Sequence, residues 1–596
     1  MKYNLLFILS LFLCNSISAQ TITGTVSNEN STPLPGVNIL NKSTNSGTQT
    51  DFDGKYSIKA KKGDLLTFSF IGYKTKEVKV KDKKVINVSL EPYNVSLNEE
   101  VVAVAIADSE TIRIRGTSSL QTGYGYNNRT NTEAYKERNE NIFKSVKTAP
   151  LSTFSIDVDR ASYSNIRRMV NNGQEIPKGA VKIEEMINYF NYNYAGPKDE
   201  HPFAIHTEVA KSPWNQQTKI AKIALQGKNI PTEDIPASNL TFLLDVSGSM
   251  NSPNKVPLLK SSFKILVNQL REEDRVAIVV YAGAAGVVLE STPGSEKIKI
   301  LEAINNLNAG GSTAGGEGIQ LAYKIAKENF IEGGNNRVIL ATDGDFNIGA
   351  SSDSAMKELI EEKRESGVFL TVLGFGMGNY KDSKLESLAQ AGNGNHAYID
   401  SMQESRRVLG TEFGGTLHTI AKDVKIQVEF NPEKIQAYRL IGYENRLLIA
   451  EDFNDDEKDA GELGSGHTVT ALYELIPVGV ESEYLKEIDS LKYTNTELKN
   501  NSGELFTVKF RYKDPEGAKS KLITKTVADT EKDFEEASAD FKFAAAVALY
   551  GMKLTDSEFV KNHNTGLILD LAEKGRREDK EGYRAEFIRL VKSEVN

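Results

Sequence analysis

The spacing of apolar and polar residues changes from one segment of the chain to the next. Between residues 21 and 92, short runs alternate between apolar and polar side chains, and stretches such as "NENSTP" and "KKGD" separate them. This alternation puts every second side chain on one face of a strand. About seven such strands in so short a segment predict a small β-sandwich. Residues 93–150 lose the pattern, are poor in apolar residues and are predicted to be a linker.

Residues 151–237 combine strand and helix patterns. "TFSIDVD" alternates as a strand does, whereas "ASYSNIRRMVNNG" and "AVKIEEMINYFNY" carry apolar residues three and four positions apart. Spacings of three and four place side chains on one face of a helix. This segment is therefore predicted to be globular, with two helices followed by further strands.

Residues 238–421 alternate strands with helices. "NLTFLLDVS" and "NRVILATDG" are near-continuous apolar strands, amphipathic helices lie between such strands, and the last helix is predicted over "MQESRRVLGTEFGGTLHTI". Strands that are apolar on both faces and separated by helices predict a mostly parallel sheet covered on both sides. We therefore expect a doubly wound, Rossmann-like α/β domain here.

Residues 422–596 return to strand patterns such as "TVTALYELIPVG" and end in helical patterns such as "YRAEFIRLVKSE". Neither flank of the α/β domain has many strands, so we expect those of 151–237 and 422–596 to pair into one β-sandwich. The predicted fold class is multidomain. It has an amino-terminal β-sandwich, a central doubly wound α/β domain, and flanking α+β segments with a β-sandwich and carboxyl-terminal helices.

The composition and the first residues bear on location. Lys and Arg number 72 against 81 Asp and Glu, a formal net charge of −9. There is no basic block, so no nucleic-acid partner is predicted. Residues 1–19 have the basic start, short apolar stretch and small final residue of a signal peptide. An exported chain is expected in the periplasm, on the outer membrane surface or secreted, without a transmembrane helix after cleavage. Alternatively Cys14, the one cysteine, carries a lipid anchor.

Oxygen-bearing side chains stand at three loops of the predicted parallel sheet. Asp245, Ser247 and Ser249 follow one strand, Thr313 lies in a glycine-rich loop, and Asp343 follows a later strand. The carboxyl ends of parallel strands share one edge, where ligands bind. Oxygen donors without His or Cys suit Mg²⁺, or Mn²⁺ or Ca²⁺. The alternative is that "LLDVSGSMN" is only a strand ending in a turn.

The order Asp-x-Ser-x-Ser, then Thr, then Asp resembles the metal-ion-dependent adhesion site (MIDAS) of von Willebrand factor type A (VWA) domains. The resemblance implies that Asp245, Ser247, Ser249, Thr313 and Asp343 form the metal site, with the carboxylates not directly on the ion. An ion left short of anionic ligands attracts a carboxylate from outside. We therefore expect the partner to be an unknown protein that offers an Asp or Glu.

Two further resemblances cover most of the chain. Through "TPLPGVNI" and "TDFDGKYSI", residues 21–92 resemble the carboxypeptidase-regulatory-like (transthyretin-like) module of Bacteroidetes secreted and outer-membrane proteins. Through segments such as "EEMINYFNYNY" and "FKFAAAVALYGM", residues 150–594 are similar to the bacterial YfbK-type VWA proteins. That resemblance implies VWA-associated segments at 151–237 and 422–596, but it names no ligand.

The expected function is that of an exported, non-enzymatic cell-envelope interaction protein that binds a partner carboxylate through a divalent cation. No catalytic residue and no organic cofactor are predicted. One alternative is an envelope scaffold that binds through its β-sandwich while the metal site is occupied internally. Another is a metal-dependent hydrolase that uses Asp157 and Asp159.

Overall fold

The computed structural model describes most of the chain. The described residues are 20–29, 33–34, 37–44, 46–51, 53–69, 73–81, 83–91, 132–156, 159–282, 285–310, 315–344, 353–412, 418–458, 460–485, 503–561 and 564–594. The predicted signal peptide, with Cys14, lies outside them. Two compact units are formed, the first mostly from residues before position 132 and the second mostly from residues after it. None of the described helices is both long and apolar enough to cross a membrane.

The first unit is the β-sandwich that the alternating pattern predicts. Its described strands are β1 (Gln20–Ser27), β2 (Asn38–Asn41), β3 (Ser46–Gln49), β4 (Lys55–Ala60), β5 (Leu65–Ser69), β6 (Lys76–Lys79) and β7 (Val88–Ser89). They form one sheet in the order β4-β1-β7 and another in the order β3-β2-β5-β6. Alternate side chains of β4, namely Tyr56, Ile58 and Ala60, are buried in the core, because a strand turns every second side chain to one face.

The second unit begins with the elements that precede its central sheet. They are β8 (Lys144–Ser145), β9 (Leu151–Ser155), α1 (Ala161–Asn171), α2 (Ile183–Tyr189), β10 (Phe203–Lys211) and β11 (Lys219–Gly227). The two helices coincide with the stretches whose apolar residues are three and four apart.

The central α/β domain follows. Its strands are β12 (Ser238–Asp245), β13 (Arg275–Tyr281), β14 (Ala285–Pro293), β15 (Asn335–Thr342), β16 (Phe369–Phe375) and β17 (His396–Ile399). Its helices are α3 (Val256–Gln269), α4 (Lys297–Asn305), α5 (Gly315–Glu328), α6 (Asp353–Arg364), α7 (Asp382–Ala391) and α8 (Met402–Arg406). The sheet order is β14-β13-β12-β15-β16-β17, and neighbours from β13 to β17 pair in parallel. The predicted mostly parallel sheet is confirmed.

The chain then returns to strands and ends in helices. The strands are β18 (Thr419–Phe430), β19 (Ile435–Ile441), β20 (Leu447–Leu448), β21 (Gly461–Gly464), β22 (Thr468–Pro477), β23 (Glu504–Lys513) and β24 (Lys521–Ala528). The helices are α9 (Ala539–Thr555), α10 (Thr565–Gly575) and α11 (Tyr583–Ser593). The helices α1, α2 and α9 to α11 share one apolar core.

Strands from the two flanks pair into one β-sandwich, as predicted. One sheet has the order β10-β11-β22-β19-β8, and the other has the order β20-β9-β18-β23-β24 with β21 on β18. Thus β11 pairs antiparallel with β22, and β9 with β18. Phe154, Ile223, Ile426 and Tyr473 lie in the core of this sandwich. The central domain is therefore inserted between two halves of another domain.

Two predictions about local structure were wrong. The last helix of the central domain does not extend through the whole of its stretch, because α8 ends at Arg406, a π-helical turn follows at Arg407–Thr411, and β18 begins at Thr419. The predicted linker of residues 93–150 is too long. Its residues 132–150 belong to the second unit, where Phe143 and Val146 are buried and Arg138 forms an ion pair with Glu386. A few apolar side chains are sufficient to hold a polar stretch in the fold when they can pack against a neighbouring surface.

Candidate metal centre

The strand ends of the central sheet bring the candidate residues to one edge. Every residue of β12 is buried, and the strand ends at Asp245, after which a short helical turn spans Gly248–Asn251. Strand β15 ends at Thr342, directly before Asp343. The two strands pair in parallel, with Leu244 opposite Ala341. The loops that follow them therefore open at the same edge.

Protein donors hold both carboxylate oxygens of Asp245. Its Oδ1 accepts a 2.9 Å hydrogen bond from the backbone N–H of Ser247. Its Oδ2 accepts from the hydroxyl of Tyr281 at 3.1 Å and from that of Thr342 at 2.9 Å. The side chain has no exposed surface. These three bonds fix the orientation of a carboxylate that is completely buried.

The serines and Asp343 complete the part of the site that the structure describes. The hydroxyls of Ser247 and Ser249 lie 3.1 Å apart, and Ser249 also hydrogen-bonds to Asp343. Asp245 and Asp343 interact electrostatically. Four of the five predicted residues thus come together, whereas Thr313 lies outside the described residues.

A lysine ammonium group already lies against one of the two carboxylates. Lys255 Nζ, one residue before α3, donates to Asp343 Oδ2 at 2.9 Å and to Asn379 Oδ1 at 2.8 Å. The amide of Asn379 donates to the same Asp343 oxygen at 2.9 Å. The lysine side chain is 6% exposed, and it lies over Gly376, where an added Cβ would be 2.2 Å from Lys255 Cε.

The two carboxylates differ in protonation behaviour. Burial, and then the charge of Asp343, raise the pKa of Asp245 to about 6. Burial also acts to raise the pKa of Asp343, but Lys255, Asn379 and Ser249 outweigh it and the pKa is lowered. The site therefore keeps Asp343 in its charged form. A nearby cation would stabilise the charged form of Asp245 more than that of Asp343.

Four contributors to this site were missed by the sequence analysis. They are Lys255, Tyr281, Thr342 and Asn379. A signal existed for two of them, because Thr342 is adjacent to Asp343 and Tyr281 ends the strand next to β12. Nothing in the local sequence pairs Lys255 or Asn379 with Asp343.

The donor set fits a hard divalent cation. Two carboxylates and two serine hydroxyls are brought together, and all of these atoms are oxygens. The carboxylates are held by protein hydrogen bonds, and the neighbouring hydroxyls of Ser247 and Ser249 leave positions for water or an outside ligand.

A second group of carboxylates lies elsewhere. Asp159, Glu185 and Glu386 have oxygens within 4.8 Å of one another. Lys182 Nζ contacts Glu185 at 3.0 Å and Glu386 at 3.1 Å, and Arg446 contacts Asp159 at 3.1 Å. Nearby cations already neutralise much of this cluster, so we interpret it as a buried ion-pair network between the central domain and its flanks.

The structure describes one of the two carboxylates of the hydrolase alternative. Asp159 belongs to this network and accepts a 2.7 Å hydrogen bond from the backbone N–H of His396, in the edge strand β17. Asp157 lies outside the described residues.

Known protein families match the chain in four stretches. In chain order they are the CarboxypepD_reg-like domain over residues 22–103, von Willebrand factor over 129–222, the von Willebrand factor type A domain over 239–409, and "Uncharacterized protein YfbK, C-terminal" over 415–596. The type A match coincides with the central α/β domain, and the first match covers the amino-terminal sandwich.

Individual proteins match as well. The chain is 44% identical over 471 residues to "Uncharacterized protein YfbK" of Escherichia coli (strain K12), and the match covers 77% of this chain and 80% of that protein. It is also 44% identical over 104 residues to TonB-dependent receptor P39 of Formosa agariphila, and this match covers 17% of this chain and 10% of the receptor. A solved von Willebrand factor type A structure from Catenulispora acidiphila is 17% identical, with a TM-score of 0.37, and the match covers 65% of this chain and 89% of that one.

Proposed function

Since the chain belongs to the YfbK family and carries a VWA domain at its centre, we propose that it binds a partner protein through a divalent cation at the edge of the central sheet. Asp245, Ser247, Ser249 and Asp343 would hold the ion, together with Thr313. The ion would be Mg²⁺, or Mn²⁺ or Ca²⁺. The partner would supply an Asp or Glu carboxylate, and the activity is binding and not catalysis.

The observation that carries this proposal is the convergence of Asp245, Ser247, Ser249 and Asp343 at one edge of a parallel sheet. When bound, the ion would supply positive charge that attracts an outside carboxylate. The protein's own residues orient the site. Tyr281 and Thr342 hold Asp245, and Asn379 holds Asp343. The serine hydroxyls are neutral and Lys255 already offsets the charge of Asp343, so the ion would be left short of negative charge, which favours an anionic group from a partner.

The same proposal assigns the protein to the cell envelope. The predicted signal peptide of residues 1–19 supports export, to the periplasm, the outer membrane surface or the medium. The amino-terminal sandwich belongs to a module that this chain shares with TonB-dependent receptors. Lipid attachment at Cys14 would anchor the protein, and mass spectrometry of the purified native protein distinguishes it from cleavage after Ala19.

Calorimetric titration tests the metal site. Wild-type protein should bind Mg²⁺ or Mn²⁺ with one site, and Asp245→Ala should lose that binding. A matched control is Asp514→Ala, because Asp514 lies on the surface, with half of its side chain exposed (50%). Equal binding by wild type and Asp245→Ala would overturn the metal assignment.

A pull-down from cell-envelope extract then tests the partner. The wild-type protein should retain a protein that is released by a chelator and is absent with Asp245→Ala. Metal binding without any chelator-sensitive partner would support the metal site but contradict the binding of a partner through it. Metal-stimulated turnover of substrates by the wild type, lost in Asp245→Ala, would instead favour a hydrolase.

The Lys255 ammonium group that contacts Asp343 favours a second candidate function. This is an envelope scaffold whose metal site is occupied by a group of the protein itself. In this case Lys255 is the permanent cation of the site and partners bind through the amino-terminal sandwich. The 2.9 Å ion pair, shielded from solvent, is the observation behind it. This candidate predicts no metal binding by wild type and a partner that is retained in chelator.

A further inference from the structure

Lysines gather at one end of the amino-terminal sandwich. They lie in two short stretches of sequence, "KAKKGD" over residues 59–64 and "KVKDKK" over residues 79–84. The first stretch forms the end of β4 and the turn to β5, and the second starts at the last residue of β6 and leads towards β7. The lysines of the two stretches, which we call the lysine end, are Lys59, Lys61, Lys62, Lys79, Lys81, Lys83 and Lys84.

The fold brings the two stretches together. The backbone N–H of Gly63 donates a 2.9 Å hydrogen bond to the carbonyl oxygen of Val80, which joins the first stretch to the second. Strand β1 lies beside both of them, because it pairs with β4 and the N–H of Thr23 donates to the carbonyl oxygen of Lys84 at 2.9 Å. All seven lysines are exposed. Their ammonium groups therefore belong to one surface at one end of a small domain.

The lysine end has an excess of positive charge. The two stretches contain only two acids, Asp64 and Asp82, against seven lysines, which leaves five positive charges in excess. The Asp64 carboxylate accepts hydrogen bonds from the backbone N–H of Lys61 at 2.9 Å and from the amide of Asn41 at 2.8 Å. Part of its negative charge is therefore already used within the turn.

Five lysines of this end form no ion pair in the part of the chain that the structure describes. They are Lys59, Lys79, Lys81, Lys83 and Lys84. Lysines elsewhere in the same unit do form such pairs, as Lys55 does with Asp53 and Lys74 with Glu91. Residues 20–91 contain 11 lysines and 7 acids, whereas the whole chain has a formal net charge of −9. The positive charge is thus concentrated in this module, and it is available to an anionic surface.

The chain also enters the domain at this end. Strand β1 begins at Gln20, which pairs with Ala60 in the first lysine-rich stretch. Under the proposed lipid attachment at Cys14, six residues would join the lipid to Gln20, a reach of at most about 22 Å. Under the proposed cleavage after Ala19, the positive α-amino group would itself lie at this end. In the lipid-anchored form, the lysine end would be the part of the domain that is tied closest to the membrane.

We propose that the lysine end binds an anionic membrane surface through the phosphate groups of its lipids. A lysine close to such a surface strengthens binding about fivefold, an effect that extends over a Debye length of about 10 Å. Val85 follows Lys84 directly and is 59% exposed, so it supplies an apolar contact beside the charges. One lipid chain alone attaches a protein only marginally, and a basic patch is a second contact that stabilises the attachment. The inference rests on the proposed envelope location and is independent of the metal site.

Vesicle sedimentation with the full mature chain tests the proposal. The anionic probe is a vesicle of about 70% phosphatidylcholine and about 30% phosphatidylglycerol, and the neutral probe is a vesicle of phosphatidylcholine alone. The lysine-end variant combines Lys59→Gln, Lys81→Gln and Lys84→Gln.

A matched control removes the same charge from the other end of the same sandwich. It combines Lys55→Gln, Lys74→Gln and Lys76→Gln. Lys55 begins β4, and Lys76 begins β6, whereas the lysine end lies where both strands finish. Six residues of strand span about 20 Å, which is about two Debye lengths. The control lysines are therefore too distant to contribute when the lysine end is on the membrane.

Wild type should bind the anionic vesicles with half-saturation below about 1 mM accessible lipid, should not bind the neutral ones, and should be released in about 0.5 M NaCl. The lysine-end variant should bind at least about thirtyfold more weakly, and the control variant should stay within about threefold of wild type. All six substitutions are at exposed positions, so thermal unfolding should match that of wild type. Should a variant fail to fold, the two vesicle types and the salt release of wild type still decide.

The proposal is overturned if wild type does not bind the anionic vesicles, if it binds the neutral ones equally well, or if the control variant loses as much affinity as the lysine-end variant. Tighter binding to a short DNA duplex than to the vesicles, at equal phosphate concentration, would instead assign the lysine end to nucleic acid. Asp245→Ala should bind the vesicles as wild type does, so failure of the metal site is distinguishable. Native protein that retains residues 1–19 in the cytoplasm would overturn the envelope location without changing the vesicle result.

Discussion

Lys255→Met changes the electrostatics of the metal centre in a measurable way. The lysine contributes a buried ion pair with Asp343 at 2.9 Å. Removing one member of a buried ion pair costs about 3–5 kcal/mol. Asp343 keeps hydrogen bonds from Asn379 and Ser249, so we expect a loss near the lower limit, about 3 kcal/mol, when no metal is present.

The effect on metal binding has the opposite sign. A single positive charge and a doubly charged ion repel each other by about 4–6 kcal/mol when they are about 6–8 Å apart at an effective dielectric constant of about 20. Solvent and movement of the lysine reduce this figure. We therefore expect Lys255→Met to bind Mg²⁺ about 10–100 times more tightly, a gain of about 1.4–2.7 kcal/mol.

Thermal unfolding with a chelator and with excess MgCl₂ measures both effects. Lys255→Met should melt below wild type in chelator, and saturating Mg²⁺ should raise its melting temperature by more than it raises that of wild type. Lys324→Met is the control, since Lys324 is a surface lysine of α5 with a 59% exposed side chain. If Mg²⁺ raises both melting temperatures equally and titration gives equal affinities, Lys255 does not oppose the ion and the reasoning fails.

Three further predictions concern stability. Lys182→Met should lower the free energy of unfolding in urea by about 3–5 kcal/mol, because it leaves buried carboxylates without their shared cation; a loss below about 1 kcal/mol would contradict this account. Burial raises the pKa of Glu185 to about 7 in the folded chain, which is above its value in the unfolded chain. The contribution of Glu185 to the free energy of unfolding is therefore fully present below about pH 4.3 and is lost as the pH rises through 7. From pH 5 to pH 8, the free energy of unfolding of wild type should therefore fall relative to that of Glu185→Gln. A difference between the two proteins that is the same at both pH values would argue against the raised pKa. Gly394→Ala would bring a Cβ to 1.9 Å from the carbonyl oxygen of Leu370, and it should lower the melting temperature by several degrees, which calorimetry can check against wild type.

Local sequence determined the elements and part of the site. Alternation in "GKYSIKA" predicted β4, and apolar spacings of three and four predicted α1, because these periods directly set which face each side chain takes. Asp245 and Asp343 could be placed at one edge because each directly ends or follows an apolar strand of a parallel sheet. One exception was the stretch after Arg406. Its helical pattern did not persist because β18 pairs with β9 and β23, which a local window does not contain.

Tertiary structure alone decided which distant segments meet. Lys255 reaches Asp343 across 88 positions, and Lys182 reaches Glu386 across 204. The sequence by itself determined the order of strands and helices and the oxygen-rich loops, since periodicity and turn chemistry act over a few residues. Only the fold determined that Lys255 lies at the metal centre and that Lys182 joins the buried carboxylates, because the partners of a charge are set by packing between segments far apart in the chain.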